Sequence, residues 1–552
     1  MALFTDRLNA LQIEIVNLEF QKEIFLHSKT QRDVFEIRHE LRAREARIAE
    51  LRGHLDHFIS ALPETEQLGI TSAIHNQQTR PFVPSLPPEM LSAVFKEGPV
   101  DSWSRTNFAL SVSQVSRYWR ETAIQTPFLW SGICLLPWRT GTGYQTFLQI
   151  LLKRSQSHPL DIRLSLLASH NANSQRVWAA LREMTESRSL LPRIPTGISQ
   201  PAVDHCLQGQ LGMFIPEVSR WRTFSYECDH GEDVSQIMGP LSNQSVPLLE
   251  SFAIFSGATY GEPRNIFYGG APKLSHVHFD GVLPLMCFPP VSSVTTLRLA
   301  TLEEEPLMGK EFLDMLRYMM VLEALHLGGE VVDMDDLYSR ALQGEYVEIA
   351  TLRSLSFSAI VEHQYSIETI LSTIRCPALE SMSISCHDPD DLEYPPTSSY
   401  LQALPTPSFP LLRSIQLDGM RCSAFAKDIN FIHRSPLQTI SLLGCTSLMA
   451  ILRTLLPSTD GIDSGTMWPL LRVIELSYVG AKVVDGICRI VSHRHACGTP
   501  IHTIAIDPFS LEKFREKVEC MKQHVAVRAG RSGFNSPELT ALQIMDATRC
   551  LS

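Results

Sequence analysis

The chain has no cysteine pairing that could staple a secreted scaffold. Its twelve cysteines are scattered over 552 residues without a C-x-x-C spacing. The first twenty residues carry charges where a secretory signal would need an apolar core. Reduced thiols and a cytosolic or nuclear setting are therefore expected. No uninterrupted apolar run approaches the roughly 20 residues that cross a bilayer, so no membrane is expected as a partner. Positive charge is also short: the net charge is −11, and no basic patch of substance lies outside the N-terminal helix. A chain of that balance has no general attraction for phosphate backbones, which argues against nucleic acid.

Catalytic signatures are missing too. There is no G-x-S-x-G elbow, no H-E-x-x-H and no G-x-x-x-x-G-K-[ST], and Gly141-Thr142-Gly143 lacks the third glycine and the strand of a dinucleotide loop. His276 and His278 stand two apart on one predicted strand, and His493, His495 and Cys497 form a second group, but neither has the paired spacing of a structural zinc site. The acidic runs Glu303-Glu304-Glu305 and Asp388, Asp390, Asp391 fall in predicted loops and read as solvated. The expectation is a non-enzyme with no cofactor and no metal.

What is present is an ordinary globular composition, 44% apolar and 19% charged, on a chain long enough for three or four structural units. From Val34 to Leu62 apolar residues recur at alternating steps of three and four, a heptad seam interrupted at Arg44. Phe4, Leu8, Leu11, Ile15, Leu18 and Phe25 keep the rhythm in another phase. Two readings follow for residues 1–62: a coiled coil that makes a homodimer, or helices that fold back within one chain. Residues 63–83 read as a linker.

The stretch from Leu86 to Trp130 is the most informative. Leu86-Pro87-Pro88-Glu89-Met90-Leu91 is followed by Val94-Phe95, and the apolar spacing predicts a helix whose first turn takes the prolines and Glu89. Gly98 and Pro99 end it. A second helix carries Phe108, Val112, Val115 and Trp119 at steps of four, three and four, hence on one face, and Thr126-Pro127 closes it. Some 45 residues bury little by themselves, so part of this apolar surface calls for a partner. Trp130 reads equally well as a core aromatic.

With Val115-Ser116-Arg117-Tyr118-Trp119-Arg120 at its centre and Pro127-Phe128-Leu129-Trp130 at its end, the segment resembles an F-box. The resemblance implies an all-helical module, residues 84–133, that docks on the Skp adaptor of a cullin-RING ubiquitin ligase. By that resemblance Leu86, Pro87, Pro88, Glu89, Leu91, Val94, Phe95, Val115, Trp119 and Arg120 are the expected adaptor contacts. The polar loop from Lys96 to Asn107 departs from the family pattern, in which an apolar residue or two is common.

Residues 134–215 open the next region, with a strand expected over Pro159–Leu164 and a helix around Val177–Met184. From 216 to 510 the chain repeats itself. A six-residue core with apolar residues at positions one, four and six occurs eleven times, from Trp221-Phe224-Tyr226 through Leu322-Leu325-Leu327 and Leu412-Ile415-Leu417 to Ile501-Ile504-Ile506. Proline stands one or two residues ahead of seven of them, at Pro247, Pro272, Pro377, Pro410, Pro436, Pro469 and Pro500, which marks the entry to each strand. Phe312–Tyr318, Ile367–Ile374 and Val483–Ser492 have helical spacing between cores.

The core is similar to the LxxLxL strand of leucine-rich repeats. That likeness implies an α/β solenoid, made irregular here by unit spacings of 20 to 34 residues and by only one Cys, Cys445, three residues past a core. An ordinary α/β domain with buried strands is the other reading. Residues 511–552 read as a closing helix, Leu511–Val525, and a polar tail. On the outward face of the repeat strands the position-five residues His326, Ser356, Ser383, Gln416, Ser441 and Glu475 are the candidates for holding a target protein, a largely uncharged set. The resemblances together imply the substrate-recognition subunit of an SCF-type ubiquitin ligase, its partners the Skp adaptor, through it cullin, and a target protein. The alternative is a non-catalytic scaffold that uses the N-terminal helices and repeats without ligase assembly. Exposure of Leu91 and Phe95 separates the two readings.

Overall fold

The computed structural model describes residues 86–98, 102–136, 142–165, 209–228, 238–256, 265–300, 306–329, 331–359, 364–386, 409–419, 422, 435–445, 447–456 and 467–530. The heptad region, the linker to 85, the helix expected at Val177–Met184, both acidic runs and the C-terminal tail beyond 530 lie outside these residues. The chain divides into two compact units, one of residues 1–97 with 181–193, the other of 98–180 with 194–552. The whole is mixed α/β, with a large parallel sheet.

In the first unit the described element is helix α1, Pro88–Lys96, with Pro88 at its first position, Glu89 in the first turn and Lys96 in the last. Pro87 is the N-cap rather than a residue of the first turn, and its carbonyl accepts from the Leu91 N–H at 3.0 Å.

The second unit opens with α2, Ser102–Val115, and α3, Arg117–Ile124. One face shared by Phe108, Val112, Val115 and Trp119 is not found. Ser116 leaves the helix at φ −155° and caps α3 by accepting from the Trp119 N–H at 3.1 Å, so the two helices diverge there. Val112 is buried while Val115 is exposed. A 3₁₀ turn at Pro127–Trp130 follows, in which Trp130 is fully buried and donates from Nε1 to the Ala123 carbonyl at 2.7 Å. Trp130 is thus a core aromatic.

Among the described residues fourteen strands then form one sheet, every pair parallel, in which the strands lie side by side in chain order. They are β1 Gly132–Leu135, β2 Leu160–Ser165, β3 Trp221–Cys228, β4 Ser251–Ser256, β5 His276–Asp280, β6 Thr296–Ala300 and β7 Ala324–Gly328. The order continues through β9 Ser354–Ala359, β11 Ser381–Cys386, β12 Ser414–Asp418, β13 Thr439–Leu443, β14 Val473–Leu476, β15 Thr503–Ile506 and β16 Ala526–Ala529. The two-residue strands β8 Val347–Glu348 and β10 Ile374–Arg375 pair only with each other. All eleven repeated cores fall on β3 to β15, and position four meets position four throughout, as in Leu297↔Leu325, Met382↔Ile415 and Ile440↔Ile474. These side chains and those at position six form the buried row of the sheet.

Position one lies ahead of the strand proper, in a four-residue turn. The Leu249, Leu274, Leu379, Leu412 and Leu471 N–H groups donate to the carbonyls of Val246, Ala271, Cys376, Phe409 and Trp468. Pro247, Pro272, Pro377, Pro410 and Pro469 therefore occupy the second position of a β-turn, where their fixed φ is favourable, and not the first residue of a strand. At the other end of several strands a glycine takes positive φ, as at Gly329 (70°) and Gly419 (64°), and turns its N–H onto the neighbouring strand's carbonyl.

Between strands lie helices α4 Thr142–Ser155, α5 Gly309–Tyr318, α6 Met334–Leu342, α7 Gln364–Thr373, α8 Met449–Thr454 and α9 Ala481–Ala496; helical spacing was expected at α5, α7 and α9 but not at α6. Of these, α5 packs on α6 and α6 on α7. Successive strands always step the same way across the sheet, so right-handed crossovers put the described helices between them on one face, and position-five side chains belong to the other. The expected closing helix, Leu511–Val525, is instead two short helices, α10 Pro508–Lys513 and α11 Arg515–Met521, and a turn at 522–525, and the tail expected after it begins with the edge strand β16. Strand β1 was not anticipated, since all four of its residues are buried and it shows no alternation.

Helix α2 is tied to the first strands by a buried ionic cluster. Arg105, 2% exposed, donates from Nη1 to Asp161 Oδ2 at 2.6 Å and to Ser131 Oγ at 3.2 Å. Arg222 grips the same carboxylate from the other side, Nε to Oδ1 at 2.9 Å and Nη2 to Oδ2 at 2.5 Å, and the Thr223 hydroxyl adds a bond to Oδ1 at 3.2 Å. Burial pushes the Asp161 carboxyl upward, but the bonds and charges of Arg222 and Arg105 outweigh it and hold it below the usual carboxylate value.

Candidate functional site

The sheet face opposite the described helices is built by alternation: where positions four and six point inward, positions five and seven point the other way. The expected target-binding residues fall into one line there, in the register His326↔Ser356↔Ser383↔Gln416↔Ser441↔Glu475 over β7, β9, β11, β12, β13 and β14. Ser441 Oγ donates to Glu475 Oε2 at 3.0 Å.

The line does not begin at His326. It continues through Arg298 on β6 to His278 on β5, each in register with the next. Both are half-buried, as is His326. The view of this face as largely uncharged is therefore corrected at one end. Arg298 was legible as position five of its core, Val294-Leu297-Leu299, by the rule that picked out His326. Burial first, then the charge of Arg298 and the neighbouring His326, hold the His278 imidazole down to about 3. It offers an N–H rather than a charge at neutral pH, and the Phe255 ring lies edge-on to it at 4.7 Å.

Position seven carries a second line, with Ser358, Ser385 and Asp418 side by side on β9, β11 and β12. All three are buried, at 7%, 1% and 5% exposure, and neither serine Oγ has a hydrogen-bond partner. Other acids of this line are served. Glu227 takes Arg163 at 2.8 Å, and Asp507 accepts from the Tyr478 and Ser510 N–H groups at 2.8 and 3.0 Å. Asp418 has the Gly419 N–H to offset its burial and, among the described residues, no cation. Burial accordingly pushes its carboxyl up to about 6.

A group whose acid form is favoured by folding contributes stability below its unfolded value, near 3.9, and loses it as the pH rises through 6. Asp418→Asn is therefore expected to raise the melting temperature at pH 7.5, by a free energy on the order of 2–3 kcal/mol, and to leave it unchanged at pH 4. Melting curves at the two pH values check this.

The expected adaptor contacts divide. On α1, Pro87, Pro88 and Glu89 are exposed and Leu86 is half-buried, while Leu91 and Phe95 are each 1% exposed. The expectation that these two face outward is corrected: they occupy α1's buried side, and the outward apolar pair is Met90 with Val94, 56% and 55% exposed. Met90 was passed over although it is one turn before Val94 and shares its face. In the second unit Val115 and Arg120 are exposed and Trp119 is half-buried.

Among the described residues no group of three His, Cys, Asp or Glu side chains is placed to hold a metal, and no helix is long and apolar enough to cross a membrane. His276 and His278 share a strand face; His493 meets Cys497, Nε2 to Sγ at 3.5 Å, whereas His495 lies against His524. No protein-family model matches the chain, and no curated protein matches it.

Proposed function

We propose that the chain is a non-catalytic receptor subunit of an SCF-type ubiquitin ligase, in which an F-box at residues 84–133 docks on the Skp adaptor and leucine-rich repeats at 216–510 hold the target protein. The observation that carries this reading is the register of the eleven cores: an LxxLxL-like unit recurring on consecutive parallel strands leaves a long polar face, the kind of surface that holds another protein. Met90 and Val94 add an exposed apolar pair on a helix that opens at Pro88-Glu89, and Val94 is one of the residues that the resemblance assigns to adaptor contact. Ubiquitin transfer belongs to the partners in this reading, and no cofactor is involved.

The burial of Leu91 and Phe95 favours a second reading, a scaffold that keeps the helix as a packing element and never meets the adaptor. Co-expression with a Skp adaptor separates the two. Wild type is expected to co-purify with it, and Met90→Asp with Val94→Asp is expected to abolish capture while leaving the melting temperature within about 1 °C, since surface changes away from special features cost little. Leu91→Asp with Phe95→Asp is uninformative for docking, because it buries two charges and unfolds α1. A folded wild type that fails to bind decides for the scaffold.

A further inference from the structure

The second residue of each core forms a line of its own along the edge where the chain enters the sheet. The backbone ties this line together from strand to strand. The Glu323 N–H donates to the Thr295 carbonyl, Arg353 to Glu323, Glu380 to Arg353, Arg413 to Glu380 and Gln438 to Arg413, at 2.7 to 2.9 Å. Charge alternates along it, Glu323, Arg353, Glu380, Arg413, with a neutral residue beyond each end. We propose that this edge is an interface between two copies of the chain, related by a two-fold axis that passes between Arg353 and Glu380. The interface lies in the second unit alone and is independent of adaptor docking.

A line of four alternating charges, reversed by a two-fold axis, meets an opposite charge at every place. Glu323 faces Arg413 of the second copy and Arg353 faces Glu380, each pair occurring twice. The match extends outward, with Thr295 opposite Gln438, Ser275 opposite Arg472 and Glu250 opposite His502, so ten successive strands bring no like charges together. A slip by one strand sets Glu323 against Glu380 and Arg353 against its own copy. Two copies running in the same direction set every charge against its like.

The apolar surface has the same symmetry. In the turns just ahead of Glu323 and Arg413, Met320 and Val321 are 75% and 40% exposed and Leu411 is 45% exposed. The axis brings these two turns together. Beside Arg353 and Glu380, nearest the axis, the corresponding places hold the smaller Thr351 and Ala378. Glu323 and Arg413 are exposed and hold no side-chain hydrogen bond or ion pair among the described residues, whereas Arg353 and Glu380 meet within the chain at 2.9 Å. Two such pairs set crosswise about the axis make a network of four charges, which stabilises more than isolated surface pairs do. Exposed apolar side chains beside charges arranged for mutual attraction call for a protein partner, and the one that this arrangement fits is a second copy.

The test uses the full chain carrying Arg413→Lys, which keeps the charge and supplies an amine. A carbodiimide condenses the Glu323 carboxylate with the lysine introduced at position 413 only where the two touch. Within one chain these positions are three strand steps apart, about 14 Å, too far for a bond without a spacer. Isotope-labelled and unlabelled chains are mixed in equal amounts, and the joined peptide is expected to include the mixed-isotope form. Adding Arg353→Glu, or Glu380→Arg, is expected to lower the yield roughly tenfold, because each sets like charges face to face across the axis. A mixture of those two chains, and a chain carrying both changes, are expected to recover it.

Melting temperatures should agree among all these chains, since the altered side chains are exposed. A joined peptide found only in single-isotope form overturns the proposal. So does a yield that the single changes leave alone, or one that the mixture does not restore. Copies held together only through residues 1–62 give one of those results, so the heptad region cannot imitate the interface. No adaptor enters the assay, so its failure and a failure of adaptor capture are read separately.

Discussion

Asp161→Ala is expected to detach helix α2 from the start of the sheet. The substitution strips the shared carboxylate from Arg105 and Arg222, leaving the Arg105 guanidinium in a place that is 2% exposed. Breaking a buried ion pair by removing one partner costs about 3–5 kcal/mol, far above the 0–1 kcal/mol of an exposed pair such as Arg353 with Glu380. Hydrogen exchange should register the loss in residues 102–135 and 160–165 while β11 to β15 keep their protection. Exchange unchanged in α2 would show that the cluster does not hold it.

The pH dependence has a definite sign. Because the folded-state carboxyl is held below its unfolded value near 3.9, the contribution is complete above that value and disappears as the pH falls through the folded one. Wild type and variant should therefore differ fully at neutral pH and converge only in strong acid.

Phe252→Ala is expected to cost about as much, 3–5 kcal/mol, by a different route. The ring is fully buried at the centre of an aromatic cluster, stacked on Phe224 at 5.9 Å and meeting Phe267 and Phe279 edge-on at 5.6 and 6.1 Å, with Trp221 stacked on Phe224 beyond it at 5.1 Å. Removing it leaves a cavity that three rigid rings cannot fill by rotating. The expected signature is lost protection in β3, β4 and β5, independent of pH, in contrast to Asp161→Ala. Phe252→Leu, which restores much of the volume, should recover more than half of the loss.

These two sites also mark what could be read without coordinates. The position-four and position-six residues were legible because a period of two on a short strand, repeated eleven times, leaves no other face for them. Phe252 needed nothing more. The Asp161 cluster was not legible: Arg105, Asp161 and Arg222 are 56 and 61 residues apart, and no local pattern relates them. The turn ahead of each core was half legible. Its proline was seen, but the buried residue before it varies among Val246, Ala271, Cys376, Phe409 and Trp468, and only the hydrogen bond to position one shows that these are equivalent.

On α1 the spacing found the right residues and assigned the wrong side. Met90, Leu91, Val94 and Phe95 form two adjacent rows on a short helix, and the choice of which row is covered depends on what packs there. The register of the position-five residues into one line was legible, but its extent was drawn too narrowly. Asp418 was missed because position seven was treated as lying beyond the core, although alternation carries it to the same face.

The strand order has a consequence for how the second unit comes apart. Among the described residues each strand of the sheet pairs only with its neighbours in the sheet, so β3 and β13 are not paired, and unit spacings anywhere from 20 to 34 residues leave the register unbroken. Damage is then confined to its own neighbourhood, and opening spreads from an edge or a lesion inward, one strand at a time. Such an array behaves as a row of linked clasps: its middle, β7 to β12, is the last part to open.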